Sequence, residues 1–340
     1  MDLKLLHAVA AGQALTEQQA ETAMRTLLAG ESTPVLTASF LTALHVKGET
    51  VDELTGFARA MRAAAVALPI SAACRPVLDT CGTGGNPIAG FNISTTAAFV
   101  IAGAGVRVAK HGNRSITSRS GSADLLEALG VKTATTPEIV ARCVERAGIG
   151  FLFAPAFHGA VKYVQPIRLE LKFRTAFYFL GPVTKPAGAE MQVAGTWSVE
   201  AAEMIAGASA RLGLQRGFVV HGDDGMGEVT ISAATTVFSI RNGSVEKLRL
   251  TPEDFGFEIQ PLEAIKGGDV AYNKTIAEAV LAGRQGAARD TVIMNAAMGI
   301  IAAGKAEAWR EAADLAVTSI DSGAAQQALD TLRSESNTLP

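Results

Sequence analysis

Residues 77–101 read VLDTCGTGGNPIAGFNISTTAAFVI. The stretch opens on a short apolar strand at Val77-Leu78 and breaks at Gly82-Thr83-Gly84-Gly85. An apolar helix follows, opened by Ser94-Thr95-Thr96 and running through Ile101. Strand, glycine turn and helix in this order make one step of an α/β domain. The glycines let the main chain take positive φ and come close to a ligand. Several N–H groups can then point into one concavity, which suits an anion. The helix start adds unpaired N–H groups and the positive end of its dipole. Three glycines between hydroxyl-bearing flanks favour a polyphosphate over a plain capped turn. The spacing matches neither G-x-x-x-x-G-K-[ST] nor G-x-G-x-x-G, which argues against a P-loop ATPase and a dinucleotide-binding dehydrogenase.

Working outward, Val106–Ala109 is a second strand, ending at Lys110-His111-Gly112-Asn113. Residues 110–122, KHGNRSITSRSGS, form a loop rich in positive charge and hydroxyls. Such a loop suits phosphate contacts at the carboxyl edge of a sheet. Leu125–Leu129 and Pro137–Arg146 read as helices, and Phe218–Val220 as a buried strand. Asn242-Gly243 between Val237–Arg241 and Val245–Leu250 signals a hairpin. Residues 274–334 return to helices. Residues 2–67 read as a small helical unit: Thr16 with Gln19 forms a capping box, Thr33-Pro34 opens a second helix, and Thr50 with Glu53 a third.

A chain of 340 residues with 48% hydrophobic residues can fill two cores. A net charge of −3 leaves no basic footprint, which disfavours nucleic-acid binding as the main role. Cys74, Cys81 and Cys143 form neither a disulfide framework nor a zinc site, and a reducing, cytoplasmic setting fits them. No apolar run is long enough to span a membrane.

Taken together, the motifs resemble those of the anthranilate phosphoribosyltransferases. The resemblance is carried by D-T-C-G-T-G-G at 79–85, N-I-S-T at 92–95, K-H-G-N-R-S at 110–115 and S-G-S-A-D-L-L-E-A-L-G at 120–130. F-A-P at 153–155 with His158, Arg168, R-T at 174–175, L-G-P at 180–182, Lys266-Gly267-Gly268-Asp269 and Asn295-Ala296 extend it. It implies an α/β fold: a helical domain over residues 1–70, joined by about 166–186, on a larger α/β domain with a mixed sheet over 71–340. It also implies a homodimer through the helical domain, and transfer of phosphoribose from phosphoribosyl pyrophosphate (PRPP) to anthranilate, with Mg2+ as cofactor. By the same motifs Gly82, Gly85, Asn86, Asn92, Ile93, Ser94, Thr95, Lys110, Asn113, Arg114, Ser115, Ser118 and Ser122 would surround PRPP. Gly82, His111, Asn113, His158 and Arg168 would meet anthranilate. Ser94 and Glu228 would hold magnesium, and Lys110, Arg168 and His111 would serve catalysis, His111 only as a weak candidate base. An arginine suits the acceptor because a guanidinium grips a carboxylate with two parallel bonds. The plain alternative for Arg168 is a surface ion pair with Glu170.

Departures from the family pattern are confined to a few positions. H-G-D-D-G-M-G-E at 221–228 has Gly227 where the family usually carries an aspartate before the glutamate. Tyr178 and Lys185 are outliers in F-Y-F-L-G-P-V-T-K-P, and Asn86 and Gly90 stand where Asp and Thr or Ser are common. These keep open a paralogue with an altered acceptor, or a non-catalytic one that binds nucleic acid. A pyrimidine nucleoside phosphorylase is the competing enzyme, and Asp79-Thr80-Cys81-Gly82 does not match its Lys-His-Ser turn.

Overall fold

Helix starts in the first part of the chain are set by threonine side chains. In the computed structural model, which describes residues 1–85, 88, 90–115 and 119–338, the Gln19 N–H donates to Thr16 Oγ1 and the Thr16 N–H to Gln19 Oε1. Thr50 repeats the box with Glu53, and Thr33 Oγ1 accepts the Leu36 N–H alone, each cap worth about 1 kcal/mol. They open three of four helices: α1 (Leu3–Ala10), α2 (Glu17–Leu28), α3 (Pro34–Lys47) and α4 (Val51–Ala64). Apolar residues at helical spacing, among them Met24, Phe40, Leu44 and Phe57, are fully buried between these helices.

The sheet follows. In chain order the elements are β1 (Leu78–Gly82), α5 (Ile93–Gly103), β2 (Val108–Gly112), α6 (Ser122–Ala128), α7 (Pro137–Ala147) and β3 (Ile149–Phe153). Next come α8 (Ala154–Phe157), α9 (Gln165–Leu171), α10 (Phe177–Thr184), β4 (Met191–Gly195), α11 (Val199–Arg211) and β5 (Arg216–Gly222). The chain closes with β6 (Thr235–Arg241), β7 (Ser244–Leu250), α12 (Val270–Leu281), α13 (Ala287–Ala302), α14 (Trp309–Asp321) and α15 (Ala324–Asn337). Seven strands lie in the order β3-β2-β1-β4-β5-β6-β7. The first five are parallel, and β6 and β7 are antiparallel. The mixed sheet is thus present, and β6–β7 is the hairpin expected at Asn242-Gly243, both residues at positive φ.

Alternate side chains along the strands feed opposite cores. Val193 and Phe218 join a core with α5, α13, α14 and α15, whereas Ala194 and Val219 join one with α1–α4, α10 and α11. The small helical bundle therefore shares the core on one face of the sheet, packing there through α10 and α11. α10 lies on α4, and α9 on α3.

Two strands were not legible in advance, β3 (IGFLF) and β4 (MQVAG), and β2 begins at Val108 rather than Val106. Each new strand is only five residues long and contains glycine, so its local signal is weak. Pairing decides them: β4 is bonded along its whole length to β1 and β5, and β3, at the sheet edge, to β2. Their placement fixes the site. β2 and β3 follow β1 on one side, and β4 and β5 lie on the other. The winding reverses between β1 and β4, the position where open α/β sheets leave a crevice at their carboxyl ends.

Candidate active site

Gly82-Thr83-Gly84-Gly85 stands at that reversal point. The Thr83 N–H donates to Gly195 O at 3.0 Å, joining the ends of β1 and β4. Gly84 and Gly85 both take φ of 71°. Gly195 can carry no side chain, because a Cβ there would lie 1.6 Å from Gly227 O. Asn86 and Ser118 of the expected donor set lie outside the described residues.

The start of α5 sits beside the turn. Asn92 is its cap residue, yet its side chain makes no cap bond. By contrast Thr16, Thr33, Thr50, Ser198 and Asp269 all cap their helices. The Asn92 amide is drawn sideways instead. Its Oδ1 accepts from Ser120 Oγ at 2.9 Å and from Asn273 Nδ2 at 3.1 Å, and its Nδ2 donates to Ser120 O. Asn273 Oδ1 in turn accepts the Gly268 N–H at 2.8 Å. One side chain thus ties the basic loop after β2 to the Lys266–Asp269 segment and leaves the first turn of α5 open. An open helix start is an anion site in waiting. Ile93 and Thr95 are buried, so neither side chain faces solvent at the helix start.

The basic loop is shaped by Asp124, whose Oδ2 accepts the N–H groups of Ser115 and Gly121 at 3.1 and 2.8 Å. Asn113 and Ser122 are joined by a bond from Ser122 Oγ to Asn113 O at 3.1 Å. The structure does not bring Arg114 into the constellation. Its guanidinium turns to α6 and pairs with Asp124 and Glu127, because two carboxylates one helical turn apart outcompete an open loop for the charge.

Lys110 lies under the floor of the crevice. It is 2% exposed, and its amine donates to Thr80 O and, at 3.5 Å, to Ser94 Oγ. Burial holds the amine below its ordinary range, and the Asp79 and Cys81 side chains and Glu228 pull it back up. Ser94 and Glu228 line one cavity of about 10 Å3 with Thr80, Gly195, Gly227 and Asn295, room for a single water or a small ion. Dense surroundings push the Glu228 carboxyl up to about 7 against the attraction of Lys110, although the residue is only partly buried. Asp223 and Asp224 do not stand in for an absent aspartate at Gly227. Asp223 pairs with Arg249, and Asp224 accepts from Thr230 Oγ1, Ser232 Oγ and the Met226 N–H.

On the opposite face of the sheet, His111 and His158 meet edge to face with ring centroids 5.0 Å apart. His111 Nδ1 donates to Gly181 O at 3.3 Å, which leaves Nε2 as an acceptor. Burial pushes His111 down to about 4 and His158 to about 3, so both are neutral at pH 7. Arg168 on α9 makes no ion pair with Glu170. It donates to Gln165 Oε1 at 2.9 Å and lies over the rings of Phe177 and Tyr178 at 4.8 and 6.0 Å. The buried atoms His111 Nε2, His158 Nε2 and Arg168 Nε have no hydrogen-bond partner. Unpartnered polar atoms are costly in a folded interior and mark a place where a ligand's groups belong.

Two clusters escaped the sequence reading. Asp79 accepts the His111 N–H at 2.8 Å and Gln192 Nε2 at 3.0 Å, and Gln192 also donates to Pro182 O. Arg174 donates to Gly85 O at 2.7 Å and lies over the Trp197 ring at 5.2 Å. The R-T motif at 174–175 flagged the position and gave no role for it.

Comparison with known proteins places these features in a class. Family models described as the helical bundle domain and the α/β domain of a glycosyl transferase family match residues 3–65 and 74–326. The chain is 55% identical to the anthranilate phosphoribosyltransferase of Solibacter usitatus, over 92% of each chain, and 52% identical to that of Moorella thermoacetica, over 95% of each. Among solved structures, anthranilate phosphoribosyltransferase from Thermus thermophilus superposes with a TM-score of 0.93 at 43% identity, covering 99% of this chain and all of that one. The Saccharomyces cerevisiae enzyme in complex with PRPP and Mg gives 0.89 at 27% identity, covering 100% of this chain and 99% of that one. The chain belongs to the anthranilate phosphoribosyltransferase family.

Proposed function

We propose that the protein transfers phosphoribose from PRPP to the amine of anthranilate, releasing pyrophosphate. One observation carries the reading. The glycine turn and the basic loop leave neighbouring parallel strands, and the start of α5, open in its first turn, is tied to the basic loop through Asn92 and Ser120. The diphosphate belongs on the glycine turn, the first-turn N–H groups of α5 and the loop around Asn113, Ser115 and Ser122. Ser94 and Glu228, which share one cavity, are the residues to hold Mg2+, whose charge would offset that growing on the leaving group. Lys110 supplies fixed positive potential from below.

In the reaction the amine lone pair forms the C1–N bond as the C1–O bond breaks. The electron pair leaves with pyrophosphate, and the amine gives up one proton to water. The neutral imidazoles of His111 and His158 line the acceptor path, and their low basicity suits hydrogen bonding better than proton abstraction. Arg168, free of any carboxylate among the described residues, holds the acceptor carboxylate in line.

Residues 1–70 with 166–186 form the helical domain in this reading. A second copy of the chain docks through it, supported by the apolar depression of Val9, Ala10, Ala43 and Val46 between α1 and α3. The three free, buried cysteines support a cytoplasmic setting. The test is anthranilate fluorescence. It is expected to fall only when PRPP and Mg2+ are both present, and an unchanged signal with both would overturn the reading.

A further inference from the structure

Arg174 belongs to neither substrate list, yet it stands where three elements of the cleft meet. It lies on the connector between α9, which carries Arg168, and α10. Its Nη2 donates to Gly85 O at 2.7 Å, across 89 positions of sequence. Its guanidinium lies over the ring of Trp197, just beyond the end of β4. Trp197 is packed in turn against Phe179 at 4.8 Å and Tyr178 at 6.3 Å. No carboxylate pairs with Arg174 among the described residues, although it is exposed and 33 Asp and Glu residues are present in the chain. The bond to a main-chain carbonyl is therefore its anchorage.

The geometry at Gly85 explains what the anchorage does. Gly85 is at φ of 71°, and a Cβ placed there would touch Arg174 Nε at 3.3 Å and Tyr178 Cε1 at 3.5 Å. A glycine turn with free choice of φ is soft by itself. The guanidinium, 5.2 Å from the centre of the Trp197 ring, donates to the Gly85 carbonyl and so favours one direction for it. Tyr178 completes the contact and also lies under Arg168 at 6.0 Å. A continuous set of packed side chains therefore runs from the diphosphate turn to the arginine that faces the acceptor.

We infer that Arg174 is a positioning residue that sets the conformation of the glycine turn for the PRPP diphosphate and couples that turn, through Tyr178, to Arg168. It touches neither substrate's reacting atoms. This inference rests on the proposed transfer reaction, and its test is arranged so that the two can fail separately.

The chain has two tryptophans, Trp197 and Trp309, and Trp309 is packed far from the turn against Phe218 and Phe255. In a Trp309→Phe background, fluorescence reports Trp197 alone. PRPP with Mg2+, without anthranilate, is expected to shift its emission, and Arg174→Ala to abolish the shift. In the assay of turnover, Arg174→Ala should raise the PRPP KM about tenfold, the loss of one charge-assisted bond. The anthranilate KM at saturating PRPP should rise by a smaller factor, and Arg174→Lys should recover part of the PRPP loss. An unchanged PRPP KM, or an emission shift of equal size with and without Arg174, would overturn the inference. A parent protein that shifts its Trp197 emission with PRPP but consumes no anthranilate would overturn the transfer reaction and leave the clamp standing.

Discussion

Arg168 and Gly227 are the single residues on which most depends. Arg168 lies over two aromatic rings with a buried Nε unpartnered, so its charge is available to a carboxylate and costly to leave alone. Arg168→Ala should raise the anthranilate KM about a hundredfold, roughly the 3 kcal/mol of a bidentate pair, with the PRPP KM changed far less. Equal effects on both would remove it from the acceptor site. At Gly227 the main chain presses its carbonyl onto Gly195, and Glu228 is the one acidic side chain lining the cavity with Ser94. Gly227→Asp should lower the Mg2+ concentration needed for half-maximal activity. No change in the magnesium titration would mean that this side chain does not face the ion. Lys185, the other outlier, is accounted for differently. Its buried amine donates to Ala189 O and is pushed down to about 7 by burial, so its charge is held in the interior by the chain that follows α10.

Elements explain what residues cannot. α5 begins at an asparagine, among the best capping residues, and yet its first turn is open because Asn92 holds Ser120 and Asn273 instead. Asn92→Ala removes three hydrogen bonds at once. We expect a loss of about 2–3 kcal/mol in urea unfolding together with a raised PRPP KM and a nearly constant anthranilate KM. A stability loss with both KM values unchanged would make the tie purely structural. The loops were legible in the chain because glycine runs and hydroxyl clusters are local signals. The direction of Lys110 was not. Period two along β2 sends it to the face opposite His111, and only the packing of α5 over that face buries it against Thr80 O and Ser94.

At the scale of the whole molecule, packing on one face of the sheet buries two neutral histidines in contact with each other, and this has a pH signature. His158 titrates near 6.5 when unfolded and at about 3 when folded. The unfolded chain therefore binds the extra proton first, and stability is full above pH 6.5 and is lost as pH falls toward 3. His111 acts in the same sense down to about 4. His158→Asn should make the fall in unfolding free energy between pH 6.5 and 4, read from urea titrations, shallower by up to about 1.4 kcal/mol per pH unit. Parallel curves for parent and variant would show that the imidazole is not buried neutral.

The amino-acid sequence by itself determined the local events: threonine caps, the Asn242-Gly243 hairpin and the glycine bend at 82–85, whereas Lys110–Gly112, read as loop, belong to β2 and Ser122 to α6. Each local event depends on neighbours a few residues away, which is as far as side-chain and main-chain chemistry acts before folding. Tertiary structure alone decided the rest. It made strands of IGFLF and MQVAG by giving them partners, turned Arg114 to α6, drew the Asn92 side chain off its helix, and set Arg174 on Gly85. Those outcomes are competitions between groups distant in sequence, and burial and geometry decide them only once the sheet has brought the groups together.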